Sequence, residues 1–503
     1  MSKPETTVQN PLLLADFPDN SVICVDGVYY MTATSMYYMP GIPVLRSYDL
    51  AHWDVVAYVY DTFLENDGHT LQNEKNIYGK GSWATCLRYH NNWFYVCFNS
   101  NDAQDTFVYR TRDIINGPWE YARLGKRHHD PSLLFDDDGR TYIIYGNGTI
   151  YIRELQPDAM AILPGGVDRV LVDTPKVEGL NCEGSHMHKI NGVYYLMVIQ
   201  WPQAARRIQW CYRCKELLGR YEGKVVLNDD LGYQNQGVAQ GGLFMGAGGE
   251  WYAMLFQDRS AVGRCPVLLP VIWRDGWPEL GVDGRAPLTF SVPYKKHISA
   301  PVVANDEFDY PKNSLQLAWQ WNHNPCAEGW SVTERPGHLR LKAITVSPCL
   351  EQARNTLTQR TISPISCFWV KLDASALRDG DRAGLAAFQH LFGYAGVWMV
   401  GGQKSLVFCR GEGNREEMVC CQPLKGDTVC LKLTFDYTDG TDFVRFYYSY
   451  DDGACWNEIG EPLHMEYRLA HFVGYRAAVF AYATKQPGGV ADFGYFRCSY
   501  PKQ

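Results

Sequence analysis

The sequence predicts an all-β protein: a five-bladed β-propeller over residues 1–300 followed by a β-sandwich over residues 301–503. Three observations carry this. A turn followed by an aromatic strand recurs five times, the recurrences are regularly spaced, and beyond residue 300 the period is lost while short alternating strands continue. The repeats read Asp26-Gly27-Val28-Tyr29-Tyr30, Asn91-Asn92-Trp93-Phe94-Tyr95, Asp138-Gly139-Arg140-Thr141-Tyr142, Asn191-Gly192-Val193-Tyr194-Tyr195 and Gly248-Gly249-Glu250-Trp251-Tyr252. Each opens on residues that accept positive φ in a two-residue hairpin, or a near variant of one, and runs into β-branched and aromatic residues. A period of roughly 50–60 residues is that of a four-stranded blade repeated around an axis.

The strand before each hairpin is the innermost of its blade and lines the central funnel. Counting back from the closing tyrosines, Asp130 stands twelve residues before Tyr142, Glu183 twelve before Tyr195 and Asp19 eleven before Tyr30. The corresponding positions of the other two blades hold Trp83 and Gln240. If the blades are equivalent, three carboxylates, an indole and a carboxamide converge on one pocket.

After the last repeat, the segment from Val292 to Asp309 passes through Pro293, Pro301 and the acidic Asn305-Asp306-Glu307, which places a boundary near 300. Strands are expected at Leu339–Ile344, Ser366–Leu372, Val397–Val400, Leu406–Cys409, Val429–Phe435 and Phe443–Ser449, with turns at Asp439-Gly440 and Asp452-Gly453.

The net charge of −8, without a Lys/Arg block, argues against nucleic acid or an acidic membrane as partner and for a neutral ligand. Aromatics form 14% of the chain, enough to fill a β-rich core and still offer faces for sugar rings. The opening Met-Ser-Lys-Pro-Glu-Thr-Thr has neither the charged nor the apolar region of a signal peptide, and no apolar run is long enough to span a bilayer, so a cytoplasmic location is expected. The sixteen cysteines are scattered through strand-like segments and are expected to be reduced; Cys211-x-x-Cys214 reads as part of a strand.

Carboxylates gathered against an aromatic wall suit cleavage of a glycosidic bond. One holds a proton for the leaving oxygen, another takes one from water, and a third raises the pKa of the acid by like-charge repulsion. The same set would suit calcium, or a lectin-like propeller without chemistry.

The segment from Asn10-Pro11 through Asp16-Phe17-Pro18-Asp19-Asn20-Ser21 resembles the opening of glycoside hydrolase family 43. His129-Asp130-Pro131-Ser132 with Asp136-Asp137-Asp138-Gly139 is similar to that family's third-blade motif, and Glu183-Gly184-Ser185-His186 with Lys189–Tyr195 to its fourth. Trp319–Pro325, Arg335-Pro336-Gly337 and Ala353–Arg360 resemble the concanavalin-like jelly roll that follows the propeller in one branch. Asn20, Thr85 and Ser185 depart from prolines usual there, a change that bears on loop rigidity and substrate preference.

The resemblance implies an inverting exo-hydrolase with Asp19 as base, Glu183 as acid and Asp130 orienting and tuning the acid. Inversion implies a separation of about 6.5–9.5 Å between the Asp19 and Glu183 carboxyls. Release of terminal α-L-arabinofuranose from arabinoxylan or arabinan oligosaccharides is the favoured activity. The alternatives are β-D-xylosidase activity, alone or alongside, and a non-catalytic carbohydrate-binding propeller. Hemicellulose-derived oligosaccharides are the expected partners.

Trp83 is expected to floor the pocket and Tyr37 and Tyr38 to wall it, while Arg264 resembles an arginine that reaches sugar hydroxyls in relatives. His186 is a candidate for the funnel, with a satisfied structural histidine an equal alternative. Gln240 stands where some members carry a calcium-holding histidine, so no catalytic metal or other cofactor is expected. Asp306, Glu307 and Asp492 are candidates for a structural calcium site in the sandwich. The sandwich is expected to lean over the site and favour terminal sugars; for Phe392-Gly393-Tyr394 an ordinary hairpin is favoured over a covering loop.

Overall fold

The computed structural model describes residues 4–501; Met1–Lys3, at the head of the segment read for a signal sequence, lie outside the described residues. Five antiparallel four-stranded sheets follow one another along the chain. Their first strands are Ser21–Val25, Ser82–His90, Ser132–Phe135, Gly179–Ile190 and Ala239–Met245. Each contacts the next, and the fifth contacts the first, so these strands form the ring around the axis.

Three of the hairpins are two-residue turns: Val25 pairs with Val28, His90 with Trp93 and Ile190 with Val193. Asp26, Asn91, Asn92 and Asn191 have φ between 49° and 61°, the left-handed values that such turns demand. The hairpins at Asp138-Gly139 and Gly248-Gly249 are instead longer loops, with Phe135 paired to Thr141 and Met245 to Trp251. Glu5–Gln9 pairs with Thr289–Pro293, and the Asn10 side chain bonds both ways with the Leu268 backbone, so the two ends of the propeller are tied together.

The remainder forms two eight-stranded sheets packed face to face. Five of the six strand segments expected beyond residue 300 lie wholly in these sheets, the sixth, Leu339–Ile344, is a strand only to Lys342, and both expected turns join paired strands. Phe392 and Tyr394 sit buried in the strand Leu391–Val400 rather than in a covering loop. The sixteen cysteines are unpaired, and Ile208–Cys214 is a strand. Among the described residues no helix is long and apolar enough to cross a membrane.

One sandwich sheet takes its edge from the propeller: Tyr38–Met39, in the first blade, pairs with Trp321–Asn322. A single apolar cluster runs through both units, from Val8, Phe17 and Trp53 to Trp319, Leu357 and Phe496. Each such side chain contributes about 1.5–3 kcal/mol by leaving water, so the sandwich is held rigidly over one face of the propeller.

Candidate active site

The funnel rim is built from irregular backbone: Asp19 and Asp130 lie just ahead of the first strands of blades one and three, and the first strands of the other three blades are bulged. Asp19, Asp130 and Gln240 have φ of 55°, 47° and 69°, left-handed values that cost non-glycine residues about 1–3 kcal/mol each. In the fourth blade the irregularity falls on Gly184 (φ 68°), and the pairing register shifts on both sides of Glu183. The register also shifts between Ser82 and Thr85, beside Trp83, and between Ala239 and Gly242, beside Gln240. A bulge turns a strand residue out of the alternation and re-aims its side chain, which is how these three blades aim Trp83, Glu183 and Gln240.

The structure brings two of the three carboxylates, Glu183 and Asp130, together around His129, and Asp19 lies near enough for its charge to act on Asp130. The His129 Nε2 lies 2.8 Å from Glu183 Oε2 and 3.8 Å from Asp130 Oδ2. Asn147 Nδ2 donates to the same Glu183 oxygen at 2.6 Å, and among the described residues no group bonds Oε1. Asp130 is nearly buried and its backbone N–H donates to Asn99 Oδ1 at 3.2 Å. Burial raises the Asp130 pKa, the negative charges of Glu183 and Asp19 add to the rise, and His129 opposes it. The Asp130 charge, with Glu183, raises the His129 pKa to about 9 against the effect of burial.

Asp19 is also buried. Burial raises its pKa, and Arg264 opposes the rise, with Nη1 2.9 Å from Oδ1 and 3.1 Å from Oδ2. Arg264 is aimed by Asp16, which accepts its backbone N–H at 2.8 Å and, through its other oxygen, that of Gly474 at 3.0 Å. Gly474 must be glycine: a Cβ there would lie 1.9 Å from Val262 O.

Gly474 ends the loop through which the sandwich reaches the funnel. Phe472, in that loop, has φ 58°; its ring lies 4.4 Å from the Arg264 guanidinium and 5.5 Å from the Trp83 ring. Trp83 is 6.0 Å from the His129 ring and donates its Nε1–H to Gly79 O. Phe472 therefore joins the Asp19–Arg264 side of the site to the Trp83–His129–Glu183 side.

The expectation for Tyr37 and Tyr38 is corrected. Both are wholly buried between propeller and sandwich: the Tyr37 hydroxyl bonds His471 Nδ1 at 3.0 Å, and the Tyr38 ring lies under the Arg476 guanidinium at 4.1 Å. A pair of aromatics before Pro-Gly reads alike whether it faces a sugar or another domain. His186 is buried against Gly242 on the inner ring, where burial lowers its pKa to about 3, and it makes no bond to the carboxylates. Gln240 packs beside Gly184, next to Glu183.

The three sandwich acids do not converge. Asp492 is paired with Arg335 and Arg340, Glu307 with Arg497, and Asp306 accepts from Trp319 Nε1 and the Phe308 backbone. Asp306 bridges Phe496, four residues along the strand from Asp492. His129, Asn147 and Phe472 were not singled out from the sequence. His129 stood inside a quoted motif beside Asp130, whereas Asn147 and Phe472 reach the site only through tertiary folding.

Carboxylates, an imidazole and aromatic faces at the mouth of a five-bladed propeller define a glycoside hydrolase. Residues 8–278 match the profile of Glycosyl hydrolases family 43 and residues 305–499 that of the Beta xylosidase C-terminal Concanavalin A-like domain, so the chain belongs to family 43. It is 28% identical to a beta-xylosidase of Formosa agariphila over 98% of this chain and 90% of that one. It is 29% identical to a non-reducing end alpha-L-arabinofuranosidase of Bacteroides ovatus over 69% of this chain and 67% of the other. Among solved structures, a bifunctional GH43-CE protein of Bacteroides eggerthii superposes with TM-score 0.94 at 41% identity; the match covers 99% of this chain and 64% of that longer one.

Proposed function

We propose that the protein is an inverting, exo-acting hydrolase that releases terminal α-L-arabinofuranose from arabinoxylan or arabinan oligosaccharides. The observation that carries the exo reading is the Phe472 ring, which the sandwich sets on Arg264 beside Asp19 and against Trp83, so that it closes this side of the funnel to a longer chain. In the first step Asp19, kept ionised by Arg264, accepts a proton from a water that attacks the anomeric carbon. As the glycosidic C–O bond breaks, Glu183 gives its proton to the leaving oxygen. Both His129 and Asn147 engage Oε2, so the transferred proton belongs on Oε1. Asp130, 3.8 Å from His129 Nε2, orients the acid through that imidazole. Inversion follows from a separate base and acid with water between them.

A second reading is β-D-xylosidase activity, supported by the name of the relative that aligns over 98% of the chain. A purely sugar-binding protein is disfavoured, because gathering buried like charges at strained backbone positions serves proton transfer and adds nothing to the affinity for a neutral sugar. The test compares kcat/KM on 4-nitrophenyl α-L-arabinofuranoside and 4-nitrophenyl β-D-xylopyranoside. A preference for the arabinofuranoside is expected; a preference for the xyloside establishes the second reading, and release from neither overturns both.

A further inference from the structure

Away from the funnel, a second set of titratable side chains converges where the sandwich meets the propeller. Glu351 comes from the short 3₁₀ turn Leu350–Gln352, His390 from the turn before Leu391–Val400, and His471 from the loop that carries Phe472. Glu351 Oε1 lies 3.0 Å from His390 Nδ1 and 2.6 Å from His471 Nε2, and the three donor atoms all fall within 4.8 Å of one another. Glu351 is buried, and among the described residues no lysine or arginine pairs with it. His471 is held as a metal-ligating histidine is held: its other ring nitrogen bonds the Tyr37 hydroxyl at 3.0 Å and its face stacks on Tyr78 at 3.9 Å. A surface cavity of about 620 Å³, lined by Glu351 and His390 together with Glu74, Glu412 and Arg415, reaches the cluster from solvent.

We propose that Glu351, His390 and His471 form a site for a single divalent transition-metal ion of the zinc class, with water from the adjoining cavity completing the coordination. Two imidazoles and one carboxylate suit zinc, and an open fourth position is usual for such a three-ligand set. Ligand atoms around tetrahedral zinc stand about 3.4 Å apart, given bonds of about 2.0–2.1 Å, so each of the two Glu351–histidine contacts needs to open by less than an ångström. Because His471 immediately precedes Phe472, an ion here would fix the loop that closes the funnel.

The test uses the full chain without a histidine tag, stripped with a chelator and titrated calorimetrically with zinc chloride, then with cobalt chloride while visible d–d absorption is recorded. One equivalent is expected to bind with micromolar or tighter affinity. His390→Ala, at a side chain 28% exposed, is expected to weaken binding at least about tenfold, and Glu351→Gln provides an independent variant of the same shape. Absence of stoichiometric binding by the parent, or binding unchanged in both variants, overturns the proposal. The readout is independent of any glycosidase activity, so failure of the metal site leaves the reading of the funnel intact, and the converse holds.

Discussion

The funnel and the seam between the two units are both buried and both polar, yet they are built on opposite rules. In the funnel, Asp19 and Glu183 both repel Asp130, two of the three sit at left-handed backbone positions, and among the described residues nothing bonds the second oxygen of Glu183. In the seam a run of groups meets its complements: Asn322 donates to the Tyr78 hydroxyl, which donates to Glu351 O; His323 accepts from the Ile77 backbone; and Tyr37 stacks on His323 while bonding His471. Complementary polar groups hold surfaces together, whereas unrelieved like charge and backbone strain are sustained only where the rest of the fold over-determines them.

The largest expected effect tests the unrelieved side of this contrast. Glu183→Gln should lower kcat on natural linkages by about 10²–10⁴-fold, the usual contribution of a general acid, while binding of the released sugar persists; steady-state rates and calorimetry on the same sample check it, and unchanged hydrolysis removes Glu183 from the mechanism. Phe472→Ala should weaken kcat/KM about tenfold through loss of one aromatic contact of about 1.5 kcal/mol, mostly in KM, and a purely structural role would instead lower the unfolding midpoint with KM unchanged. Tyr37→Phe should lower stability by about 1–3 kcal/mol, because it orphans a buried histidine nitrogen, with kcat and KM little altered; denaturant midpoints measured beside rates separate the two. The smallest effect is a displacement of the acid limb of the rate profile. Burial raises the Asp19 pKa, and as pH falls through that value the base gains a proton and activity is lost, so the limb should lie above the ordinary aspartate value of 3.8; a limb below it contradicts Asp19 as base.

The same contrast explains what the sequence makes legible. Asp19, Asp130, Glu183, Trp83 and Gln240 could be aligned because each stands at a fixed count from a hairpin tyrosine, and that local register survives folding. The seam is assembled from residues 37, 78, 323, 351 and 471, which no local period connects, so Tyr37 and Tyr38 read as pocket walls. Asp492 likewise reads as a free ligand until Arg340 arrives on the neighbouring strand. Phe472 lies in a loop without any repeat to mark it, and its place at the funnel depends on Asp16 and Gly474 meeting across 458 residues of chain.

The two-residue strand Tyr38–Met39 also sets an order of events during synthesis. The first blade leaves the ribosome long before Trp321–Asn322, so its edge is waiting when the sandwich sheet arrives to be completed. A sandwich produced alone from residue 301 onward would instead present bare backbone donors and acceptors beside Trp321, a template for the next copy of itself. The first blade thus acts as a built-in chaperone for the second half of its own chain, which makes severing the two a route to aggregates rather than to two working parts.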